Sequence, residues 1–454
     1  MPHSGLGVSQ MGGRRQKKAL IVFLKYPETG KVKTRLAAEI GSGEALRLYA
    51  ILARRSLGIA SDLIEERSDI DGIIFYDPPD RRQSVIEIYP GPWRFIAQRG
   101  KDLGERMRNA FDTAFGLGYG QAVLIGSDIA DLDLGDIRKA FDALAEGKTP
   151  VGAARDGGYY MIGLGRPCPK AFNLVEWSTS YVFQETLKNL NMDGHRTVVL
   201  SERRDVDRRE DAEFLLEKSF VRDCITVIIP FLESDTDQAV ALAERLHVLI
   251  WPDDEIILVK GLDDHGGNQG CRHLNEKIRM ICGTRGRGAQ LNQGASQALG
   301  TIVWFLHADS VPPANFGYHI RKLTIGSEFS FGCFRLAFSE ESPELRLIAR
   351  WANARTRYLR LPYGDQGIFC RLGSFNSMGG FRKRLIMEDV EMALAFRKYG
   401  KLLFAPETIV TSGRRYLKGG VVRTALMNHL TMMMYIAGVS DETLYRFYYR
   451  SPHG

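Results

Sequence analysis

Short apolar runs separated by amphipathic stretches organise the whole chain. Runs at 19–24, 72–76 and 122–125 have the length and composition of buried strands, and 43–66 carries its apolar residues at helical spacing. A charged helical stretch at 208–218 closes this first series, and a new apolar run at 225–229 restarts it. The second series continues with a helix around 237–246, a strand at 255–259, a glycine-rich loop, a helix around 289–298 and a strand at 301–306. Strands and helices alternating at this spacing fold as right-handed βαβ units on a mostly parallel sheet. The predicted architecture is therefore α/β. It has Rossmann-like domains at 19–218 and 219–454, each a sheet flanked by helices, behind a disordered basic tail at 1–18.

At 454 residues the chain exceeds what one hydrophobic core usually supports, which agrees with two domains. Hydrophobic residues at 44% and charged residues at 25% argue against a disordered or membrane-spanning chain. A formal charge of +7 favours acidic partners. Nucleic acid is not expected among them, because the basic residues interleave with acids and no reader fold is recognisable. The six cysteines (Cys168, Cys224, Cys271, Cys282, Cys333, Cys370) are far apart and form no CxxC pair, as expected of reduced thiols in a cytoplasmic protein. The first 18 residues lack the apolar core of a secretory signal, and no window approaches 18 uninterrupted apolar residues. The Met-rich segment 421–437 is open to three readings: core packing, which leads, a partner-binding helix, or a place at a lipid surface that would make the protein peripheral at the cytoplasmic membrane.

The densest chemistry lies at 286–313, GRGAQLNQGASQALGTIVWFLHADSVPP. Its apolar run ends abruptly in His307, Ala308 and Asp309, so a carboxylate surfaces where α/β sheets bind ligands. With Arg287, Gln290 and Asn292 ahead of it, Asp309 suits a divalent cation (Mg2+ or Mn2+) that holds the diphosphate of an activated sugar. His307 would contact that diphosphate or orient Asp309. Arg414 and Arg415 suit charge-assisted pairing with phosphate, although exposed arginines are commonly just solvated. Glu388 and Asp389 begin an amphipathic helix, where the dipole keeps a carboxylate ionised for proton abstraction and where plain capping is the competing role. Asp365 and Gln366 follow a Pro-Tyr turn and suit acceptor hydroxyls, a turn-forming Asp being the alternative.

These pieces carry a resemblance. TVIIP, GRGAQLNQGA, FLHADSVPP, LPYGDQGIF, GGF, MEDVEMA and TSGRRY lie in order between Thr226 and Tyr416. Residues 225 to about 449 thus resemble the GT-A glycosyltransferases of family 2, most closely the arsenosugar-biosynthesis branch, also called radical-SAM/selenodomain-associated transferase 2. The resemblance implies an inverting transfer from a nucleotide-sugar donor to a small-molecule or lipid-linked acceptor, with Asp389, second of the Glu-Asp pair, as base. Two positions depart from that family. Lys260-Gly261 replaces an Asp-Gly loop start, and Glu233-Ser234 replaces Asn-Glu, so base recognition would shift to Asp263 or Glu233, or the donor would differ from a uridine diphosphate sugar.

In the first half, Lys25, Lys31, Lys33 and Arg35 surround Gly30 directly after a strand, an arrangement suited to polyphosphate. Asp128 ends its strand as Asp309 does, and Asp156 precedes two glycines that leave room for a ligand; both are metal candidates. Asp205 and Asp207 are open to a late metal role or to a solvated acidic loop. FLKYPETGKVKTRLA, GKDLGERM, VLIGSD, RDGGYYMIGL and EWSTSYVFQETL resemble the companion family, transferase 1 of the same pair, related to GT-A-like nucleotidyltransferases. Ile129-Ala130 stands where that family reads Ser-Pro. The leading expectation is a bifunctional glycosyltransferase. Its alternatives are an N-terminal nucleotidyltransferase feeding the C-terminal transferase, or a non-catalytic nucleotide-sugar-binding scaffold.

Overall fold

The computed structural model describes residues 16–173, 175, 177, 179–262, 272–327 and 330–449, in two compact units at 1–215 and 216–454. The apolar runs of the first half become the centre of a sheet of β1 (Lys18–Lys25), β2 (Ile70–Asp77), β3 (Trp93–Ala97), β4 (Gln121–Gly126), β5 (Thr149–Ala154), β6 (Tyr159–Leu164) and β7 (Thr197–Arg203). Their order is β3-β2-β1-β4-β6-β5-β7, with β6 antiparallel to both neighbours and the rest parallel. Ile21, Ile73, Leu124 and Ile162 pack with Phe111 of helix Leu103–Gly116 in the core. Lys18, assigned above to the tail, belongs to the sheet, and Lys17 lies directly before it. Lys18 opens β1 and lies 3.2 Å from Asp69, and Lys17 lies 2.8 Å from Asp71. The rest of that tail, 1–15, lies outside the described residues.

The second unit contains β8 (Ile225–Phe231), β9 (Glu255–Leu262), β10 (Arg272–His273), β11 (Ile278–Thr284), β12 (Ile302–Phe305), β13 (Phe331–Phe338), β14 (Phe369–Arg371) and β15 (Leu402–Thr411). Their order is β10-β11-β9-β8-β12-β14-β13-β15, with β14 antiparallel to β12 and β13. Apart from the short β10, this repeats the order and sense of the first sheet, so both units follow one GT-A-like plan. Asp128 follows β4, and Asp309 follows β12, the equivalent strand. In each unit a lone bridge ties the segment beyond that strand to the edge-strand segment, Ile129 to Asp205 and Val311 to Val410. The likeness of the two acids is therefore a likeness of position.

The expectation of core packing for 421–437 does not hold. Helix Val421–Ile436 buries only Thr431 and Met432, while Val422, Leu426, Leu430, Met433 and Ile436 face solvent. A core position would need apolar neighbours around its circumference, and among the described residues one face is left exposed. No helix among the described residues is long and apolar enough to cross a membrane. Cys168, Cys224, Cys282, Cys333 and Cys370 are free thiols, and Cys271 lies outside the described residues.

Candidate active sites

In the C-terminal unit a cavity of about 1130 Å³ opens beyond the end of β12 and receives Arg287, His307, Asp309, Asp365, Glu388 and Asp389. Fully buried Leu306 anchors the end of the strand, so the chain emerges with Asp309 at the rim. Among the described residues the Asp309 carboxylate has a single side-chain partner, the Thr411 hydroxyl at 3.5 Å, and burial pushes its pKa up. Arg287 opens helix Arg287–Ser296 and spans the acidic pair opposite. Its Nε is 3.1 Å from Glu388 Oε1 and its terminal nitrogen 3.5 Å from Asp389 Oδ2. Asp389 is fixed by backbone donors, with Gly364 N at 2.7 Å from Oδ2 and Val390 N at 2.8 Å from Oδ1. A Cβ at Gly364 would displace the Arg287 guanidinium and crowd His307 Nε2.

Burial decides the charge states. It raises the Glu388 carboxyl despite the neighbouring Arg287. Asp365 is pushed up to about 6, first by burial and against the pull of Arg355, and among the described residues its Oδ1 has no hydrogen-bond partner. His307 is held well below the usual imidazole range by burial and then by Arg287, so it is neutral, and its Nε2 is also unpartnered. Two unpartnered buried polar atoms beside a cavity are groups that a bound ligand can satisfy.

Several expected contacts are corrected. Gln290 is not available to phosphate, since its Nε2 donates to Phe231 O at 2.9 Å and Val259 O at 2.8 Å, lacing β8 to β9. Asn292 exchanges two hydrogen bonds with the Phe381 backbone and so fixes the Gly379–Phe381 turn. Gln366 is fully buried and bonds Thr356, Phe334 O and Tyr363 N, so burial keeps it from an acceptor hydroxyl. Arg414 is exposed with its Nε 3.0 Å from Ser412 Oγ, although its charge acts on Asp309. Arg415 lies in the cavity wall 4.3 Å from the Tyr448 ring. Lys260, within β9, pairs with Glu233, just after β8, and Asp263 and Asp264 lie outside the described residues.

The sequence reading missed the tyrosine wall. Tyr416, Tyr445, Tyr448 and Tyr449 line the cavity, and Asn428 bridges two of them, donating to Tyr416 OH at 2.9 Å and accepting from Tyr448 OH at 3.1 Å. Burial pushes Tyr416 and Tyr448 up to about 12. The only signal was the run of tyrosines between 445 and 449.

The first unit gathers acids instead of a basic loop. Lys25, Lys31 and Arg35 are exposed, but Lys33 turns inward and lies 2.5 Å from Asp128 and 2.8 Å from Asp207. Burial opposes its charge, yet these two acids raise its pKa on balance. The four cations therefore do not converge on one phosphate. Asp156, Asp205 and Asp207 bring carboxylate oxygens within 4.8 Å of one another. Asp205 is pushed up to about 7 by burial, then by Asp156 and Asp207. Asp156 also caps its turn, accepting from Gly158 N at 2.8 Å, and the space at Gly157 is filled by the backbone of Ser180, not left for a ligand.

Residues 226–383 match the family described as glycosyl transferase family 2, and 62–179 match a family described as an uncharacterized protein conserved in bacteria, DUF2064. Among solved structures, a protein from Desulfovibrio desulfuricans G20, provisionally described as a nucleotide-diphospho-sugar transferase, is 35% identical over 44% of this chain and 87% of its own, with a TM-score of 0.40. The mannosyltransferase PcManGT from Pyrobaculum calidifontis, in complex with GDP-Man and Mn2+, is 15% identical over 50% of this chain and 70% of its own, with a TM-score of 0.36. The 4-diphosphocytidyl-2C-methyl-D-erythritol synthase from Anaerococcus prevotii DSM 20548 is 12% identical over 44% of this chain and 96% of its own, with a TM-score of 0.30. No curated protein matches this chain. At 35% identity over 87% of that relative's length, the chain belongs to the family of that Desulfovibrio protein, and it carries a family 2 glycosyltransferase domain at 226–383.

Proposed function

We propose that the C-terminal unit transfers a glycosyl group, with inversion, from a nucleotide-sugar donor to a small-molecule or lipid-linked acceptor. The observation that carries this reading is one cavity in which Asp309, at the end of β12, faces an arginine and an acidic pair. The half-buried Asp309 carboxylate, with only a hydroxyl 3.5 Å away, fits a hard cation whose other positions phosphate oxygens would fill. Bound there, Mg2+ or Mn2+ supplies neutralisation of the diphosphate leaving group. Asp389 is held by two backbone N–H groups, leaving lone pairs for the acceptor proton, and Arg287 aligns it. Glu388 anchors Arg287. Neutral His307 can donate to the donor diphosphate, and Arg415 adds positive charge at the tyrosine wall. A second assignment of the base to Asp365 is favoured by its unpartnered Oδ1 and raised pKa.

The N-terminal unit acts, in this proposal, on a related nucleotide or sugar phosphate at Asp128, Asp156, Asp205 and Asp207. Three of these acids fit a divalent cation, and Lys33 fixes Asp128 and Asp207. Release of pyrophosphate from a nucleoside triphosphate would mark it as the nucleotidyltransferase that feeds its neighbour. The motifs favour the arsenosugar-type pair, and the free thiols agree with a cytoplasmic enzyme. The test is thermal stability with nucleoside diphosphate sugars, with and without Mn2+. A donor that raises the melting temperature only when Mn2+ is present supports the reading, because a ligand specific for the folded state stabilises it by mass action. Failure of every common donor to do so rejects it, whereas donor binding without turnover would leave the nucleotide-sugar-binding scaffold.

A further inference from the structure

We propose that the outer face of the C-terminal helices docks on an anionic lipid bilayer. This deepens the glycosyltransferase reading by placing a lipid-linked acceptor at the same cavity. Helix Val421–Ile436 has two unlike faces. One brings Asn428 and Thr431 into the cavity wall. The other presents Val422 (78% exposed), Leu426 (56%), Leu430 (41%), Met433 (55%) and Ile436 (67%) to solvent. At the angular spacing of an α-helix these five occupy about one third of the circumference. Helix Pro343–Leu359 adds Leu347, Trp351 and Tyr358, all exposed and sharing one stripe, and the Trp351 ring lies 6.5 Å from His429 of the other helix. The two stripes therefore adjoin, and large apolar side chains grouped this way mark a binding surface, unlike scattered ones.

Charge identifies the occupant. Residues 408–440 contain no Asp or Glu but include Arg414, Arg415, Lys418 and Arg423. Residues 345–364 likewise contain no acid but include Arg346, Arg350, Arg355, Arg357 and Arg360. Arg350, Arg357, Arg360, Lys418 and Arg423 are exposed, and among the described residues none makes an ion pair. A second copy of the chain would bring the same positive charge to the contact. Anionic headgroups neutralise it, while the leucines, Met433 and Trp351 enter the boundary of the acyl layer and Tyr358 sits at headgroup level. With the cavity on one side of helix Val421–Ile436 and the bilayer on the other, an acceptor reaches Asp389 without its lipid tail leaving the membrane.

Vesicle flotation of the full chain tests this. The protein is expected to float with vesicles of equal parts phosphatidylglycerol and phosphatidylcholine at low salt, and not with phosphatidylcholine alone. The double variant Leu426→Glu, Met433→Glu is expected to lower the floated fraction by about tenfold or more. Its near-ultraviolet circular dichroism and its thermal response to donor with Mn2+ should remain those of the wild type. Protein that stays unbound with anionic vesicles overturns the proposal. So does a wild-type dimer in sedimentation that the double variant converts to monomer. Normal flotation without any donor response would instead remove the glycosyltransferase reading and leave the docking face standing.

Discussion

Asp309 faces the cavity with one hydroxyl 3.5 Å away, whereas both oxygens of Asp389 already accept backbone hydrogen bonds, so losing each carboxylate has a different consequence. Asp309→Asn removes the charge that would attract a cation. It should weaken Mn2+-dependent donor binding by about 100-fold, read by calorimetry. Asp389→Asn keeps the shape and one acceptor oxygen, so donor affinity should stay within about threefold while turnover falls by about 10²–10⁴. If Asp365→Asn produces that loss and Asp389→Asn does not, Asp365 is the base. Asp205 makes a different prediction. Its pKa is about 7 in the folded protein and 3.8 ordinarily, so between those values the folded state holds a proton that the unfolded chain has lost. Stability from this group is present below the lower value and falls as pH rises through the upper one. The metal-free protein should therefore lose a few degrees of melting temperature between about pH 5 and about pH 8 that Asp205→Asn does not lose.

Helix Arg287–Ser296 shows how an element can resemble a ligand-binding segment while serving the scaffold. Its Arg287 reaches the cavity, but Gln290, one turn later, points at the sheet and joins the carbonyls of Phe231 and Val259. Gln290→Ala should leave these carbonyls without that donor and cost about 1–3 kcal/mol in denaturant unfolding, with donor affinity unchanged. Residue type and spacing could not separate the two residues, because orientation is set by where the helix meets the strands. The same limit explains Lys33, read as a phosphate ligand from its loop but turned toward Asp128 and Asp207. The central strands were legible because β1, β4, β8 and β12 are continuous apolar runs. The edge strand β15 was not, since Pro406 and Glu407 interrupt it, nor was β13, which carries Gly332, Arg335 and a register shift. That Asp309, Glu388 and Asp389 line one cavity was legible because strand and helix ends open onto the candidate site. The tyrosine wall was not, because residues 445–449 reach the cavity only through tertiary packing.

At the scale of the molecule, one strand plan occurs twice with opposite electrostatics around its acid. The N-terminal copy surrounds Asp128 with further carboxylates and an internal lysine, while the C-terminal copy opposes Asp309 with Arg287 and Arg415 across an open cavity. The first arrangement already pairs two of its acids with the single charge of Lys33, so a cation there competes for Asp207. In the second, Asp309 has no cationic partner within ion-pair distance among the described residues. Mn2+ should accordingly bind the C-terminal site more tightly once a diphosphate fills the remaining positions, and Lys33→Met should strengthen binding in the N-terminal unit. Each unit has its own sheet and its own hydrophobic core, so these two responses are expected to be separable. Isothermal titration of Mn2+ into full-length wild type, Lys33→Met and Asp309→Asn checks this. Lys33→Met should gain a donor-independent binding event of about tenfold higher affinity, and Asp309→Asn should lose only the donor-dependent one. Loss of both events from the single Asp309→Asn change would mean that the two sites are coupled, which two separate cores give no reason to expect.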